Sequence, residues 1–267
     1  MKLRPVAGIV LRQIYLIRGS PVRLFPMVTW VAIDIVLWGF ITRYLNAVSG
    51  SGMNFVPTLL GGVLLWDFCT RIMQGVSTAF LEDVWSRNFL NLFASPLSIA
   101  EYIAGLVITS IMTSSIGVVV MIALATGVFH LQFFSLGLPL VAFLLVLFVF
   151  GITLGIFASA IVLRLGPASE WLLWPLPALL SPFAAVFYPL ATLPQWMQWV
   201  AHVLPPAYVF EGMRGLLNAK AFPTSLLLQG TAVAIAELLL AAYFYARVYR
   251  QAVRTGLLAR YSAESAA

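Results

Sequence analysis

The chain has 267 residues, of which 62% are hydrophobic and only 9% are charged. A soluble domain carries about 25% charged residues and less than half apolar ones, so a water-soluble globule of this length is excluded: it could not hide this much apolar surface. The formal charge of +6 invites a nucleic-acid partner, but the cations stand in short gaps between apolar runs and towards both ends, as topology signals do. The lone Cys69 rules out an intramolecular disulfide. Composition therefore implies one all-α membrane domain with no folded soluble domain beside it.

Residues 1–23 predict an amphipathic helix. Val6, Ile9, Val10, Gln13, Ile14 and Ile17 recur on one face, with Arg12 and Arg18 off it. Lys2, Arg4, Arg12 and Arg18 are spread through this stretch, and no cleavable signal peptide is expected. A basic helix of this kind lies in the membrane surface. Residues 24–267 then form the membrane domain, with spans expected at about 24–45, 55–80, 102–129, 136–163, 171–190 and 225–245. Between the fifth and sixth spans, residues 193–220 are apolar but broken by Pro194, Pro205 and Pro206, and they hold Glu211 and Arg214. Two half-helices too short to cross are expected there, as a re-entrant or interfacial hairpin. With the first residues in the cytoplasm, the inner side holds twelve cations (Lys2, Arg4, Arg12, Arg18, Arg23, Arg71, Arg87, Arg164, Arg247, Arg250, Arg254, Arg260). The outer side holds three: Arg43, Arg214 and Lys220. That excess places both termini in the cytoplasm.

Some segments carry more than insertion requires. The loop after the second span mixes Glu82, Asp83 and Arg87 with Trp85, Phe89 and Leu90, and predicts a short amphipathic helix ended by Ser95-Pro96, which caps the next span. Asp34, Asp67, Arg71 and Glu237 fall inside spans, where ionisable groups are candidates for function. Asp67 and Arg71 stand at i and i+4 and are placed to pair. Gly151 and Gly155 have the spacing of close helix packing. Two distant histidines, His130 and His202, give no metal spacing. No phosphate-binding glycine loop and no nucleophile motif is visible. The chain is therefore not expected to be an enzyme or to hold a metal. If it transports actively, the energy comes from a partner or an ion gradient.

The run from Ser181 to Arg214 closely resembles the membrane subunit of type-2 ABC exporters, a family of polysaccharide, nodulation-factor and drug permeases. The resemblance rests on Pro182, Tyr188-Pro189, Leu193-Pro194, Pro205-Pro206, and Glu211 with Arg214, in that order. The loop from Glu82 to Pro96 is similar to the family's coupling region, and Pro206 departs from the leucine many relatives carry. The resemblance implies a homodimer with the pathway between protomers, in a bacterial inner membrane. It implies two copies of a separate cytoplasmic ABC ATPase subunit, which would bind ATP and Mg. The first helix (Arg4, Arg12, Arg18) and the loop bearing Glu82, Asp83, Trp85, Arg87 and Asn88 would touch that ATPase. The hairpin with Tyr188, Pro194, Trp196, Trp199, Pro205, Pro206, Tyr208, Glu211 and Arg214 would gate the external mouth. The substrate class stays open among a glycan, a glycolipid and a hydrophobic small molecule. Two other readings stand beside it: an ion-coupled secondary transporter using Asp34, Asp67 or Glu237, and a membrane enzyme acting on lipids, which the missing catalytic cluster disfavours.

Overall fold

The computed structural model of the chain describes residues 3–20, 22, 24–48, 59–86, 91–92, 95–130, 137–219 and 223–256. Its helices are α1 (Leu3–Gly19), α2 (Leu24–Val48), α3 (Gly61–Trp85), α4 (Ile99–Phe129), α5 (Leu138–Leu165), α6 (Leu176–Leu180), α7 (Gln195–Ala201), α8 (Pro205–Ala219) and α9 (Thr224–Arg254). Short 3-10 turns run over Pro167–Leu172 and Leu190–Thr192. No strand occurs among the described residues.

Stretches Val28–Val48, Ile99–Phe129, Leu138–Leu165 and Thr224–Arg254 are each long and apolar enough to cross a bilayer. Helix α3 has 25 residues, about 37 Å at 1.5 Å per residue, but Asp67, Arg71 and Gln74 interrupt its apolar run. Its position explains how it carries them. α3 packs against both α4 and α5, α2 packs mainly on α4, and α9 packs mainly on α5 with Tyr245 edge-on to Phe80 of α3. A central helix faces protein rather than lipid, so it need not be apolar all round. Close packing of α5 on α3 depends on the two glycines singled out by their spacing. A Cβ on Gly151 would stand 2.7 Å from the Cys69 carbonyl oxygen, and one on Gly155 would stand 2.6 Å from Val76 Cβ. Only glycine lets the backbones approach this far.

Three expectations change. First, residues 171–190 are not one helix. The 3-10 turn, the five-residue α6 and a run of turns to residue 188 fill this stretch. Pro175, Pro177, Pro182 and Pro189 explain it: each lacks the N–H that would continue the ladder. The stretch still runs the length of α3. Trp85, at the end of α3, binds Glu170 through its indole N–H at 2.6 Å. At the start of α3, a Cβ on Gly62 would lie 3.0 Å from the Val186 carbonyl oxygen. Second, Glu82, Asp83 and Trp85 belong to the last turn of α3 rather than to a separate helix. Third, the cap of α4 is Ser98, not Ser95. The Ser98 hydroxyl accepts from the Glu101 N–H at 3.3 Å, and the Ser98 N–H donates to Glu101 Oε2 at 3.0 Å, a closed capping box. Glu101 is thereby a structural carboxylate.

Candidate functional site

At the end of the bundle where α3 stops and α4 starts, α1 lies across α4. Its buried Ile9 fills the space beside Gly105, where a Cβ would come within 2.8 Å of it. Arg12 is not turned away from the protein. Its Nη1 meets Asp83 Oδ1 at 2.5 Å, and the Asp83 side chain is 1% exposed. The other Asp83 oxygen accepts from the Tyr102 hydroxyl at 2.8 Å. One carboxylate thus joins α1, α3 and α4. Trp85, 53% exposed, extends the set to the 3-10 turn through Glu170. Arg4 and Arg18 are exposed on α1. Arg87 and Asn88 lie outside the described residues.

At the opposite end, the proline-broken stretch is held by hydrogen bonds to backbone. Glu211 Oε1 accepts from the Leu190 N–H at 2.5 Å and pairs with Arg214 Nη2 at 3.1 Å. The same Arg214 nitrogen donates to the Ala185 carbonyl at 2.6 Å. Ala185 is buried in the left-handed region, with φ of 56°. The Tyr188 hydroxyl donates to the Pro182 carbonyl at 2.6 Å, and that of Tyr208 to the His202 carbonyl at 2.8 Å. Pro205 and Pro206 are buried at the start of α8, while Pro194, Trp196 and Trp199 are exposed on and beside α7. Aromatic contacts fix the stretch to the bundle: Phe187 stacks on Trp38 at 5.3 Å, and Phe210 lies 6.4 Å from Trp66. Arg43 caps this end of α4. It donates to the Val128 carbonyl at 2.7 Å and lies 5.1 Å from the centre of the Phe129 ring, where a cation meets the negative end of the helix dipole.

Between the two ends, Arg71 binds Asp67 through two hydrogen bonds, at 2.7 and 2.9 Å. Asp34 of α2 lies within electrostatic reach of both. Ser110 and Ser114 of α4 donate to the carbonyls of Ile72 and Arg71, at 2.8 and 3.1 Å. Glu237 stands apart on α9, one carboxylate oxygen buried without a hydrogen-bond partner among the described residues. No cluster of possible metal ligands occurs among the described residues.

Two polar ends joined by a bundle of apolar helices suit a chain that moves something across a bilayer. The family model of the ABC-2 type transporter matches residues 10–218. The chain belongs to the ABC-2 type transporter family. The match takes in the Arg12–Asp83–Tyr102 set, the Asp67–Arg71 pair and the whole proline-broken stretch, and leaves out Arg4 and Glu237. No curated protein matches the chain. As an ABC-2 type transporter, the chain is a membrane permease with several apolar helices, a transport subunit. The polar sets that the sequence groups as one surface and one hairpin lie at opposite ends of the central helix, with the Asp67–Arg71 pair between them. Sequence reasoning missed Glu170 and Arg43 as partners. Both bind across 85 residues, a distance at which no local pattern signals contact.

Proposed function

We propose that this chain is the permease subunit of an ATP-driven exporter and acts as a homodimer with the pathway between protomers. Each protomer binds one cytoplasmic ABC ATPase subunit, which supplies the ATP and Mg. Five long helices and the broken stretch 167–188 make six crossings, with both termini on the cytoplasmic side of a bacterial inner membrane. The excess of cations on that side supports this orientation. Stretch 190–219 forms a re-entrant hairpin at the external mouth. Irregular backbone at that depth needs partners for its polar groups, and here Glu211 binds the Leu190 N–H and Gln198 donates to the Leu193 carbonyl. The cargo is a glycan, a glycolipid or a hydrophobic small molecule. The exposed Trp196 and Trp199 offer it aromatic faces.

One observation carries the reading: α1 and the end of α3, the two segments assigned to the ATPase, are locked together through Arg12 and Asp83. A push on either moves both, along with α4, as rigid-body switching requires. Trp85, Glu82 and the exposed cations of α1 form the contact surface, and the buried Asp83 holds it in shape. The test is to purify the chain with its cognate ATPase and follow ATP hydrolysis and transport together. Trp85→Ala, which removes an exposed side chain, is expected to leave assembly intact and weaken the coupling of hydrolysis to transport several-fold. Transport that persists without any ATPase subunit and stops with an ionophore would overturn the proposal.

A further inference from the structure

Helix α9 has 31 residues, about 46 Å at 1.5 Å per residue, while a hydrocarbon core is about 30 Å thick. A crossing helix of this length therefore continues past the core. At 100° per residue, Ala236, Leu240, Tyr243, Arg247, Arg250 and Arg254 form one stripe, within about 80° of the helix circumference. All six are exposed. The face that carries Ala241, Tyr245, Val248 and Ala252 is buried. The stripe thus points away from the bundle along its whole length, apolar in one half and cationic in the other.

The three arginines lack an anion of their own. No acidic residue follows Glu237 on α9. Ion pairs among the described residues engage Arg12, Arg71 and Arg214, and none involves this stripe. Arg250 donates its Nε to the Ala246 carbonyl at 3.2 Å, which leaves its two Nη groups directed outward. Depth points to what meets them. Arg247 and Arg250 follow Tyr245, the last residue of the apolar run, by about 3 and 7.5 Å along the axis. A headgroup layer is about 5–7.5 Å deep, so both lie within it, and the exposed Tyr243 stands at its inner edge, where aromatic belts form. Arg254, about 13.5 Å beyond Tyr245, lies past it. The face that meets acyl chains at Ala236 and Leu240 is the face that carries cations at the phosphate level. α1, which holds the Arg12–Asp83 pair, packs on α4, whereas α9 packs on α5 and α8.

We propose that the end of α9 holds one anionic phospholipid, its phosphate between Arg247 and Arg250 and an acyl chain along Tyr243, Leu240 and Ala236. A guanidinium presents its donors in a fork that suits phosphate oxygens, and basic residues just beyond a membrane span attract anionic lipid. The lipid would fix the depth of α9, whose other face holds Tyr245 against Phe80 of α3. This inference rests on α9 crossing the bilayer and does not depend on the ATPase reading.

The full-length chain in detergent is titrated with phosphatidylglycerol and, separately, phosphatidylcholine, and bound lipid is counted by native mass spectrometry. An arginine near an anionic surface contributes roughly fivefold. The wild type is therefore expected to prefer phosphatidylglycerol by a factor on the order of twenty. Arg250→Gln should lower this to roughly fivefold, and Arg247→Gln combined with Arg250→Gln should abolish it. Both side chains are exposed, off the packed face, so these variants keep the wild-type melting temperature in lipid-free detergent. Arg254→Gln removes the same charge beyond the headgroup layer and is expected to keep the preference. Equal retention of the two lipids by the wild type overturns the proposal. So does a preference that survives the double substitution. An Arg254→Gln variant as weak as Arg250→Gln also overturns it, since the attraction would then be diffuse. Loss of ATPase binding in the double variant, with lipid preference unchanged, would assign the stripe to the partner protein instead.

Discussion

The two polar ends of the molecule each use an arginine–carboxylate pair, for opposite purposes. At one end, Arg12 and Asp83 come from different helices, and the carboxylate side chain is 1% exposed. At the other, Glu211 and Arg214 sit three residues apart on α8, with side chains 28% and 14% exposed, and reach outward to the backbone of Leu190 and Ala185. The first arrangement ties helices into one body. The second stitches an irregular stretch onto a single helix by polar contacts, while Phe187 stacked on Trp38 attaches it to α2. Under the proposed roles, a coupling end and a gating end therefore differ less in composition than in the chain distance between partners.

The largest expected effect comes from separating the first pair. Arg12→Ala leaves a buried carboxylate uncompensated, which costs about 3–5 kcal/mol and is read as a lowered melting temperature in lipid nanodiscs. Asp83→Ala added to Arg12→Ala should restore part of that loss. Strictly additive effects would mean the two side chains do not interact. Glu211→Gln comes next. It weakens a charge-assisted bond to one backbone N–H, worth about 1.5–3 kcal/mol, and hydrogen exchange should quicken around residues 185–193 while the bundle is unchanged. Uniform quickening through α3 and α5 would show that the hairpin is not a local unit. Ser98→Ala removes one half of a capping box and should cost about 1 kcal/mol, visible as fraying at the start of α4. The smallest effect is a gain. Ala185→Gly relieves a left-handed residue, where a side chain costs about 1–2 kcal/mol; the unfolded chain's extra freedom with glycine takes back roughly half of that. A lowered melting temperature would show that the Ala185 methyl group contributes more by packing than it costs in strain.

Much of this was legible because the dominant signal, apolar length, is local. Long helices appear where apolar runs of sufficient length appear, and the Gly151/Gly155 spacing marked a close helix contact. Ser98 and Glu101 also formed a readable signal, the serine and glutamate three apart that close a helix start; the more conspicuous Ser95-Pro96 masked it. Four prolines between 175 and 189 argued against a continuous span, but the apolar total of that stretch outweighed them in a reading based on hydropathy. The direction of Arg12 was not legible at all. A helical wheel fixes where a side chain leaves the backbone, while a long arginine bends toward whichever carboxylate the fold brings near, here one that is 71 residues away in sequence.

The central place of α3 bears on how the chain is made. Synthesis delivers α3 before α4 and α5, the two helices that later shield it. At that moment its charged side chains would each cost about 2.5–3.5 kcal/mol at mid-bilayer. Asp67 and Arg71 answer this from within a single helix, since a pair at i and i+4 forms as soon as the turn does. As one of the six proposed crossings, α3 would leave the insertion machinery already neutralised and wait in lipid for its neighbours.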